Sequence, residues 1–229
     1  MQDNIVVPNH IGFIMDGNGR WAQSKGKPRN YGHTKGADKI EDVVEWCFKA
    51  GIKCVSLYAF SKENLGRPKE EVDKIFSLLA TFLKKFSKSL IKNEIRLVVS
   101  GDLDVLDKST LETLCSLEEK TSVFKDRTLN IAFNYGGRQD IVSAVNRLIS
   151  KSEEVTEDSL SKELSNRGIG DIDLVVRTSG EQRISNFYLW QISYAEIYFS
   201  NLLWPDFSKE EFDNILNWFS LRKRRFGKL

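Results

Sequence analysis

Short apolar runs rich in β-branched residues alternate along the chain with longer segments in which apolar residues recur at helical spacing. We interpret the short runs as buried strands and the longer segments as amphipathic helices. The predicted strands span 11–15, 52–60, 95–99, 129–133 and 172–176, and the predicted helices span 36–50, 70–90, 104–120, 138–150, 156–166 and a last segment from 208 toward 225. This alternation is typical of a parallel sheet covered by helices on both faces, so we predict an α/β fold with one domain over residues 1–229.

Polar residues directly follow each predicted strand. The polar segments are 16–20, 61–67, 101–102, 134–138 and 177–180. In a parallel sheet the carboxyl ends of the strands share one edge, and ligands bind in the crevice outside that edge. Residues that are about 160 positions apart in the sequence are therefore predicted to line one cleft.

The segment 16–21, DGNGRW, follows the first predicted strand and combines several groups that bind anions or metals. Gly17 and Gly19 allow the backbone to approach a ligand closely, and their amides can point at an anion. Arg20 contributes a cation, and Asp16 contributes a carboxylate suited to Mg²⁺. This combination predicts a site for metal-bound phosphate, with an ordinary tight turn as the alternative.

Arginines form a second signal, because their guanidinium groups match phosphate oxygens and stay charged at any working pH. Arg20, Arg29 and Arg67 follow the first two predicted strands. Arg177 and Arg183 follow the fifth. Two such groups predict two phosphorylated ligands, although each single arginine has the alternative of a solvated or ion-paired surface residue.

Histidines are rare in this chain, with only His10 and His33 present. There is no histidine pair for zinc, and His10 is expected to be structural. His33 lies near the predicted phosphate site, where contact with a ligand and a role in helix capping or packing both stay open.

Composition narrows the class of function. The chain has 229 residues, and its 34 basic and 32 acidic side chains give a net charge of +2. A nucleic-acid-binding protein usually has a larger basic excess, so we expect no nucleic-acid partner. The first ten residues lack the features of a signal peptide, and no apolar segment approaches the roughly 20 residues of a membrane span. The three cysteines lack metal-ligand spacing and suggest reduced thiols in a cytoplasmic protein.

The glycine-rich segment also fits part of a dinucleotide-binding fingerprint, with Gly17, Gly19 and Ala22 at the right spacing. That fingerprint requires an acidic residue at the end of the next strand, where this chain has Ala59-Phe60-Ser61. No Gly-x-x-x-x-Gly-Lys loop is present either. An NAD-type oxidoreductase and a P-loop nucleotidase are therefore weaker hypotheses.

Longer stretches of the sequence resemble the cis-prenyltransferase family, which includes the undecaprenyl diphosphate synthases. The matching stretches are 10–21, 57–64, 67–68, 130–138, 173–187, 204–207 and 224–227, in the same order and over nearly the whole chain. The chain also lacks the Asp-Asp-x-x-Asp motif of the trans-type synthases. The resemblance implies a cytoplasmic, Mg²⁺-dependent enzyme that condenses farnesyl diphosphate with successive isopentenyl diphosphates to give undecaprenyl diphosphate, the lipid carrier for cell-wall glycan synthesis.

The same resemblance implies an architecture and partners. The expected fold is a central parallel sheet of about six strands, surrounded by helices, with an elongated hydrophobic tunnel. The expected assembly is a homodimer in which the tail 225–227 reaches the isopentenyl site of the partner subunit. A weak contact with a membrane surface is a further expectation, for release of a lipid product.

Roles for individual residues also follow from the resemblance. Asp16 would handle Mg²⁺ and assist departure of the diphosphate, and Glu196 would be a second magnesium ligand. The expected ligands of the allylic diphosphate are Gly17, Asn18, Gly19, Arg20, Arg29 and His33, and those of the isopentenyl diphosphate are Arg177, Arg183 and Ser185. Asn64 would assist proton removal, which we interpret as hydrogen-bond positioning because an amide is a poor base. The remaining residues expected to contact substrate are Trp21, Ser61, Lys62, Glu63, Leu65, Arg67 and Ile184.

The chain departs from the family pattern at a few positions. Leu65 stands where the family commonly has tryptophan, and Gln182 where some members have histidine, which leaves Asp16 and Glu196 to carry the metal. Phe133 adds bulk where alanine is frequent. These departures bear on the length of the product rather than on the type of reaction. A non-catalytic accessory subunit is the other alternative, although such relatives lose the aspartate and arginines that this chain keeps.

Overall fold

Six parallel strands form one sheet in this computed structural model, which describes residues 5–224. The strands are β1 (His10–Ile14), β2 (Cys54–Ser61), β3 (Ile95–Ser100), β4 (Arg127–Tyr135), β5 (Leu174–Arg177) and β6 (Glu196–Phe199). Their order in the sheet is β3-β4-β2-β1-β5-β6, and every pair is parallel. The predicted parallel α/β fold with about six strands is confirmed.

Helices connect most of the strands. They are α1 (Asn18–Ser24), α2 (Arg29–Lys49), α3 (Lys69–Lys92), α4 (Lys108–Thr121), α5 (Gly137–Ser150), α6 (Glu157–Glu163) and α7 (Lys209–Ser220). Several begin at side-chain caps: Asp107 accepts the Thr110 amide at 2.9 Å, and Ser208 Oγ accepts the Glu211 amide at 3.1 Å. Within residues 5–224, no helix is both long enough and apolar enough to cross a membrane.

The observed elements differ from the predicted ones in three places. The helix α2 begins at Arg29 rather than at 36, and its glycines explain the difference, since a Cβ at Gly32 would lie 1.9 Å from the Asn18 carbonyl oxygen. Helix-weakening glycines are therefore required for close packing against α1. The strand β6 was not among the predicted strands, because its residues are only half-buried at the edge of the sheet. The helices α6 and α7 end at Glu163 and Ser220, earlier than predicted.

The largest hydrophobic cluster packs one face of the sheet against α2, α3, α4 and α7. The apolar stripe of α3 contributes its buried side chains Ile75, Leu79, Phe82, Leu83, Phe86 and Leu90. The other face is covered by the segment that follows β5, through Phe187, Tyr188 and Ile192. Large-to-small changes in this core cost about 2–5 kcal/mol each, so the core holds the carboxyl edge of the sheet in place.

The strand β1 lies between β2 and β5, and its last residue fixes the register of the edge. Ile14 is paired with Tyr58 on one side and with Arg177 on the other. The segments that follow β1, β2 and β5 therefore leave the sheet next to each other. This arrangement is the one that brings distant polar segments into one cleft.

Candidate active site

A cavity of about 380 Å³ opens at the carboxyl ends of β1, β2 and β5 and extends under α2 and α3. Its polar lining consists of Asp16, Asn18, His33, Ser61, Asn64, Arg67, Arg177, Arg183 and Ser185, which we call the mouth. Its apolar lining includes Ile40, Leu57, Ala59, Ile75, Leu78, Leu79, Phe82, Ile131 and Phe133, which we call the interior. One cavity thus joins a charged opening to a hydrocarbon-like space.

Asp16 and Arg177 form the centre of the mouth, although they are 161 positions apart. Arg177 Nη2 donates to Asp16 Oδ2 at 2.7 Å, and the Gly17 amide donates to Asp16 Oδ1 at 2.6 Å. Burial alone would raise the pKa of Asp16, but the hydrogen bond and charge of Arg177, with the Gly17 amide and Arg20, lower it below its ordinary value. Asp16 is therefore a fixed anion at neutral pH.

Arg177 also organises the loop that follows β5. Its Nη1 donates to the Arg183 carbonyl oxygen at 2.6 Å and to Ser185 Oγ at 2.7 Å. The Arg177 side chain is only 5% exposed, whereas the Arg183 side chain is 59% exposed and pairs with Glu181. A buried arginine thus fixes a loop that presents a second, exposed arginine to the same cavity.

Arg20 extends the mouth along its rim. It donates to Ser179 Oγ at 2.6 Å and lies 3.1 Å from Glu181. The φ of +102° at Gly17 favours glycine, and a Cβ at Gly19 would lie 2.6 Å from the Arg29 guanidinium. Gly19, one of the two glycines predicted to approach a ligand, therefore also allows Arg29 to approach the backbone.

Glu71 holds a cluster of three basic side chains, and sequence reasoning did not identify it. Its carboxylate accepts from Arg29 Nε at 3.2 Å, His33 Nε2 at 2.9 Å and Arg67 Nη1 at 3.0 Å. Burial opposes ionisation, but hydrogen bonds from Arg29 and His33 and the charges of Arg29 and Arg67 lower the pKa of Glu71 to about 2. The available signal was the four-residue spacing from Arg67 to Glu71, which puts both on one side of the chain as α3 begins.

His33 is held in this cluster as a largely neutral side chain. Burial lowers its pKa, Glu71 raises it, and the charges of Arg67 and Arg29 lower it, with a net shift below the ordinary value. The His33 side chain is 11% exposed and lines the cavity. Its packing against Glu71 is therefore a structural role that is compatible with contact to a ligand.

Asn64 is oriented by a capping box at the turn 62–66. Its Oδ1 accepts the Ser61 amide at 3.2 Å, while the Ser61 side chain accepts from the Asn64 backbone. The side-chain oxygen of Asn64 is therefore hydrogen-bonded to the backbone, which leaves its side-chain NH2 group available to donate into the cavity. A donor is what hydrogen-bond positioning of a diphosphate requires.

Several residues expected to contact substrate lie outside the lining of this cavity. Trp21 is buried, donates to Asp206 at 2.6 Å and stacks on Tyr31. Others with partners elsewhere are Lys62 near Asp102, Glu63 hydrogen-bonded to Asn186, the exposed Leu65, and Ile184 packed on the second face of the sheet. Substrate contact by these side chains stays a prediction.

Comparison with known proteins agrees with the geometry of this cavity. Residues 14–227 match a protein family described as "Putative undecaprenyl diphosphate synthase". The chain belongs to the undecaprenyl diphosphate synthase family of prenyltransferases. The predicted family membership is therefore confirmed.

Individual relatives match over nearly the full length. An isoprenyl transferase of Aquifex pyrophilus is 46% identical over 99% of this chain and 98% of its own. A ditrans,polycis-undecaprenyl-diphosphate synthase ((2E,6E)-farnesyl-diphosphate specific) of Vibrio vulnificus strain YJ016 is 42% identical, over 96% of this chain and 91% of its own.

Solved structures also match over nearly the full length. The crystal structure of a probable undecaprenyl diphosphate synthase from Campylobacter jejuni has a TM-score of 0.82 and 38% identity, over 96% of this chain and 99% of its own. Lavandulyl diphosphate synthase of Lavandula x intermedia, solved in complex with dimethylallyl diphosphate, has a TM-score of 0.91 and 31% identity, over 97% of this chain and 99% of its own.

Glu196 lies away from the mouth of this prenyltransferase-family cavity. It is paired with Leu174, which is paired with Ile11, so it stands at the amino end of the sheet. Asp16 follows the carboxyl end, more than about 10 Å farther along the strand direction. Within a single chain the two carboxylates therefore do not meet, and metal binding by Glu196 stays a prediction. Instead, Glu196 pairs with Arg222 at 3.1 Å.

The mouth fits a magnesium ion bound together with substrate. Asp16 supplies a carboxylate, and the buried Oδ1 of Asn18, which lines the same cavity, has no hydrogen-bond partner. Mg²⁺ is usually held by one or two carboxylates, waters and substrate phosphates. Residues 5–224 contain no cluster of three or more His, Cys, Asp or Glu side chains arranged as metal ligands. The tail 225–227 lies outside the described residues.

Proposed function

We propose that this enzyme condenses farnesyl diphosphate with successive isopentenyl diphosphates at the mouth of the cavity, to give undecaprenyl diphosphate. The observation that carries the proposal is the Asp16–Arg177 contact of 2.7 Å, in a cavity that His33, Arg67 and Arg183 also line. Arg29, His33 and Arg67 stand on the side of α2 and α3, and Arg183 follows β5. Two diphosphates held there would meet at Asp16.

The allylic diphosphate is assigned to the glycine-rich segment and the Glu71 cluster. Guanidinium groups of Arg29 and Arg67 are preorganised by Glu71 at 3.2 Å and 3.0 Å, so little side-chain entropy is lost when they bind phosphate. The dimethylallyl diphosphate bound in the lavandulyl diphosphate synthase structure supports an allylic ligand in this fold.

The isopentenyl diphosphate is assigned to Arg177, Arg183 and Ser185. These residues share the loop that Arg177 organises, with Ser185 Oγ at 2.7 Å from its Nη1. Asp16 contacts the same guanidinium, so this ligand would lie beside the departing group of the first. Orientation of two reactants in this way accounts for a large part of an enzymatic rate enhancement.

The growing chain is assigned to the interior, which would act as the hydrophobic tunnel. Its walls are the apolar side chains of β2, β4, α2 and α3. Phe133 packs against Phe60 and Phe76, with ring centroids 5.4 Å and 5.0 Å away, and this aromatic cluster bounds the space. A hydrocarbon that lengthens by five carbons per step would be stabilised by burial against these walls.

The reaction breaks the allylic C–O bond, forms a C–C bond from the isopentenyl double bond, and releases one proton and inorganic diphosphate. Asp16 and the Asn18 oxygen would hold Mg²⁺, which supplies positive charge against the charge that builds on the departing diphosphate. Arg20 and Arg29 would bind the departing group. Asn64 would orient the isopentenyl unit by donating a hydrogen bond, and the released diphosphate would accept the proton.

The assembly and the cell compartment belong to the same proposal. Two copies of the chain would form a dimer. The enzyme would act in the cytoplasm, with a weak membrane contact when the long product leaves.

The experiment that tests the function class measures release of inorganic diphosphate by the purified protein with Mg²⁺. Farnesyl diphosphate alone and isopentenyl diphosphate alone should give none, and the two together should give one diphosphate per isopentenyl unit consumed. Absence of release with both substrates, from a folded protein, would favour the accessory-subunit alternative. Tight binding of NAD or NADP without diphosphate release would favour the oxidoreductase alternative.

A further inference from the structure

A second cavity, of about 270 Å³, lies at the same edge of the sheet, beyond the ends of β3 and β4. Its lining is mostly polar and includes Gly101, Asp102, Asp104, Asn134, Asp140 and Ser165. None of its lining residues lines the catalytic cavity. The reaction proposed above assigns no role to these residues.

Three buried side-chain oxygen atoms of this cavity have no hydrogen-bond partner: Asn134 Oδ1, Asp140 Oδ2 and Ser165 Oγ. Asn134 is 2% exposed and Asp140 is 7% exposed. The opposite atoms of both side chains are fixed, because Asn134 Nδ2 donates to the Asp102 carbonyl at 2.8 Å and Asp140 Oδ1 accepts the Ser165 amide at 3.0 Å. The Asn134 amide oxygen is therefore an acceptor without a donor, and the free Asp140 carboxylate oxygen has only the Ser165 and Tyr135 hydroxyls as donors beside it.

The charges around this cavity are mostly negative. Among residues 5–224, neither Asp104 nor Asp140 has a basic side chain within ion-pair distance. Arg147 lines the cavity, but its guanidinium donates to the Glu163 carboxylate at 2.9 Å and to the Glu163 carbonyl at 2.8 Å. Burial raises the pKa of Asp140, and hydrogen bonds from Ser165 and Tyr135 with the charge of Arg147 oppose this shift only in part.

We propose that this second cavity binds a hydrated divalent cation of the Mg²⁺ or Ca²⁺ class through Asn134 Oδ1 and Asp140 Oδ2. Carboxylate and amide oxygens are the ligands that these hard cations prefer, and they complete their coordination with water. The cavity has room for an ion with several waters, each of which occupies about 30 Å³. The ion would fasten the end of β4 to α5 and to the loop after β3.

The test measures cation binding in a variant whose proposed catalytic metal site has been removed. Metal-free Asp16→Asn protein is titrated with Tb³⁺, a probe for hard-cation sites that emits when nearby aromatic residues such as Tyr135 are excited, and Mg²⁺ or Ca²⁺ is then added to displace it. In this background Asp140→Asn should weaken Tb³⁺ binding by about tenfold or more, because a direct ligand is lost. Asn at 140 keeps the oxygen that accepts the Ser165 amide, so the fold should be retained.

Asp104→Asn is the matched control, since it removes the same charge from an exposed position in the same cavity. It should leave Tb³⁺ affinity within about threefold, as expected for an exposed charge. Equal Tb³⁺ affinity in the Asp16→Asn protein with and without Asp140→Asn would overturn the proposal. Absence of Tb³⁺ emission from the Asp16→Asn protein itself would also overturn it. The latter result would mean that the cavity holds water only, or that the Tyr135 hydroxyl turns to satisfy Asp140.

Discussion

The mouth and the interior of the catalytic cavity are built from the same sheet by different means. In and beside the mouth, a few charged side chains from distant segments restrain each other, as in the Asp16–Arg177 pair and the neighbouring Glu71 cluster. In the interior, many apolar side chains pack together, and each contributes a small part of the stabilisation. We therefore expect substitutions in the mouth to change the condensation rate or the affinity for substrate. Substitutions in the interior should change the length of hydrocarbon that fits.

The largest effect is expected from Asp16→Asn, which keeps the shape of the side chain and removes its charge. Condensation should fall by about a thousandfold or more, because the Mg²⁺ that would offset the charge on the departing diphosphate loses its carboxylate ligand. The rate of diphosphate release with both substrates measures the effect. Asp42→Asn, at an exposed position of α2, should retain the parent rate. Comparable rates for both variants would remove Asp16 from the chemistry.

The next largest effect is expected from substitutions that raise the KM for one substrate and leave the KM for the other unchanged. Arg183→Gln should raise the KM for isopentenyl diphosphate by about 10–100-fold, and Arg29→Gln should do the same for farnesyl diphosphate, since a charge-assisted hydrogen bond contributes about 1.5–3 kcal/mol. Steady-state kinetics with each substrate varied in turn measures both. Equal increases for both substrates in both variants would contradict the assignment of two separate diphosphate sites.

A smaller effect is expected from Glu71→Gln, which removes the shared partner of Arg29, His33 and Arg67. The free energy of unfolding at pH 7 should fall by about 1–2 kcal/mol, a value reduced because two of the three partners are partly exposed. Urea unfolding measures it. Glu70→Gln, at the neighbouring exposed position, should change it by less than about 0.5 kcal/mol.

The same pair of variants predicts a pH dependence with a definite sign. The pKa of Glu71 falls from 4.5 to about 2 on folding, so its stabilisation is complete above about pH 4.5 and is lost as the pH falls toward 2. The parent and Glu70→Gln should therefore lose stability over this range more steeply than Glu71→Gln. Identical slopes for all three proteins would show that Glu71 does not bind the basic side chains as described.

The smallest effect on rate is expected from the interior. Phe133→Leu should leave the first condensation within about threefold of the parent and cost about 1.5 kcal/mol of stability or less. The product should lengthen by about one isoprene unit, because the aromatic cluster with Phe60 and Phe76 no longer bounds the space. Phe86→Leu, on a buried residue outside the cavity lining, should leave product length unchanged. A parent-length product from Phe133→Leu would exclude Phe133 as a boundary.

Most of the sheet, and the residues that share its carboxyl edge, could be predicted from the sequence because both follow from the pattern of apolar runs and the polar residues after them. Apolar runs gave five of the strands, and the parallel arrangement then required Asp16 and Arg177 to share one edge. The strand β6 has only four residues and begins with the charged Glu196, so it was not recognised and the position of Glu196 along the sheet could not be derived. The early start of α2 was also hidden, since Gly32 and Gly36 weaken a helix unless close packing against Asn18 requires them.

Glu71 and the second cavity show a different limit. Glu71 looks like an ordinary acidic residue near the start of an amphipathic helix, and only the packing of α2 beside α3 brings Arg29 and His33 to it. The unpartnered oxygens of Asn134 and Asp140 likewise depend on which atoms their neighbours satisfy. Spacing in the sequence predicts which residues share an edge, but not which of their hydrogen bonds are already made.

The most direct test of the account resolves products by chain length. Purified protein is incubated with Mg²⁺, farnesyl diphosphate and labelled isopentenyl diphosphate, and the dephosphorylated products are separated by size. We predict a ladder of intermediates that ends near undecaprenol, because each condensation at the mouth pushes a longer chain into the interior. A folded protein that incorporates no label, or that stops after a single condensation, would contradict it.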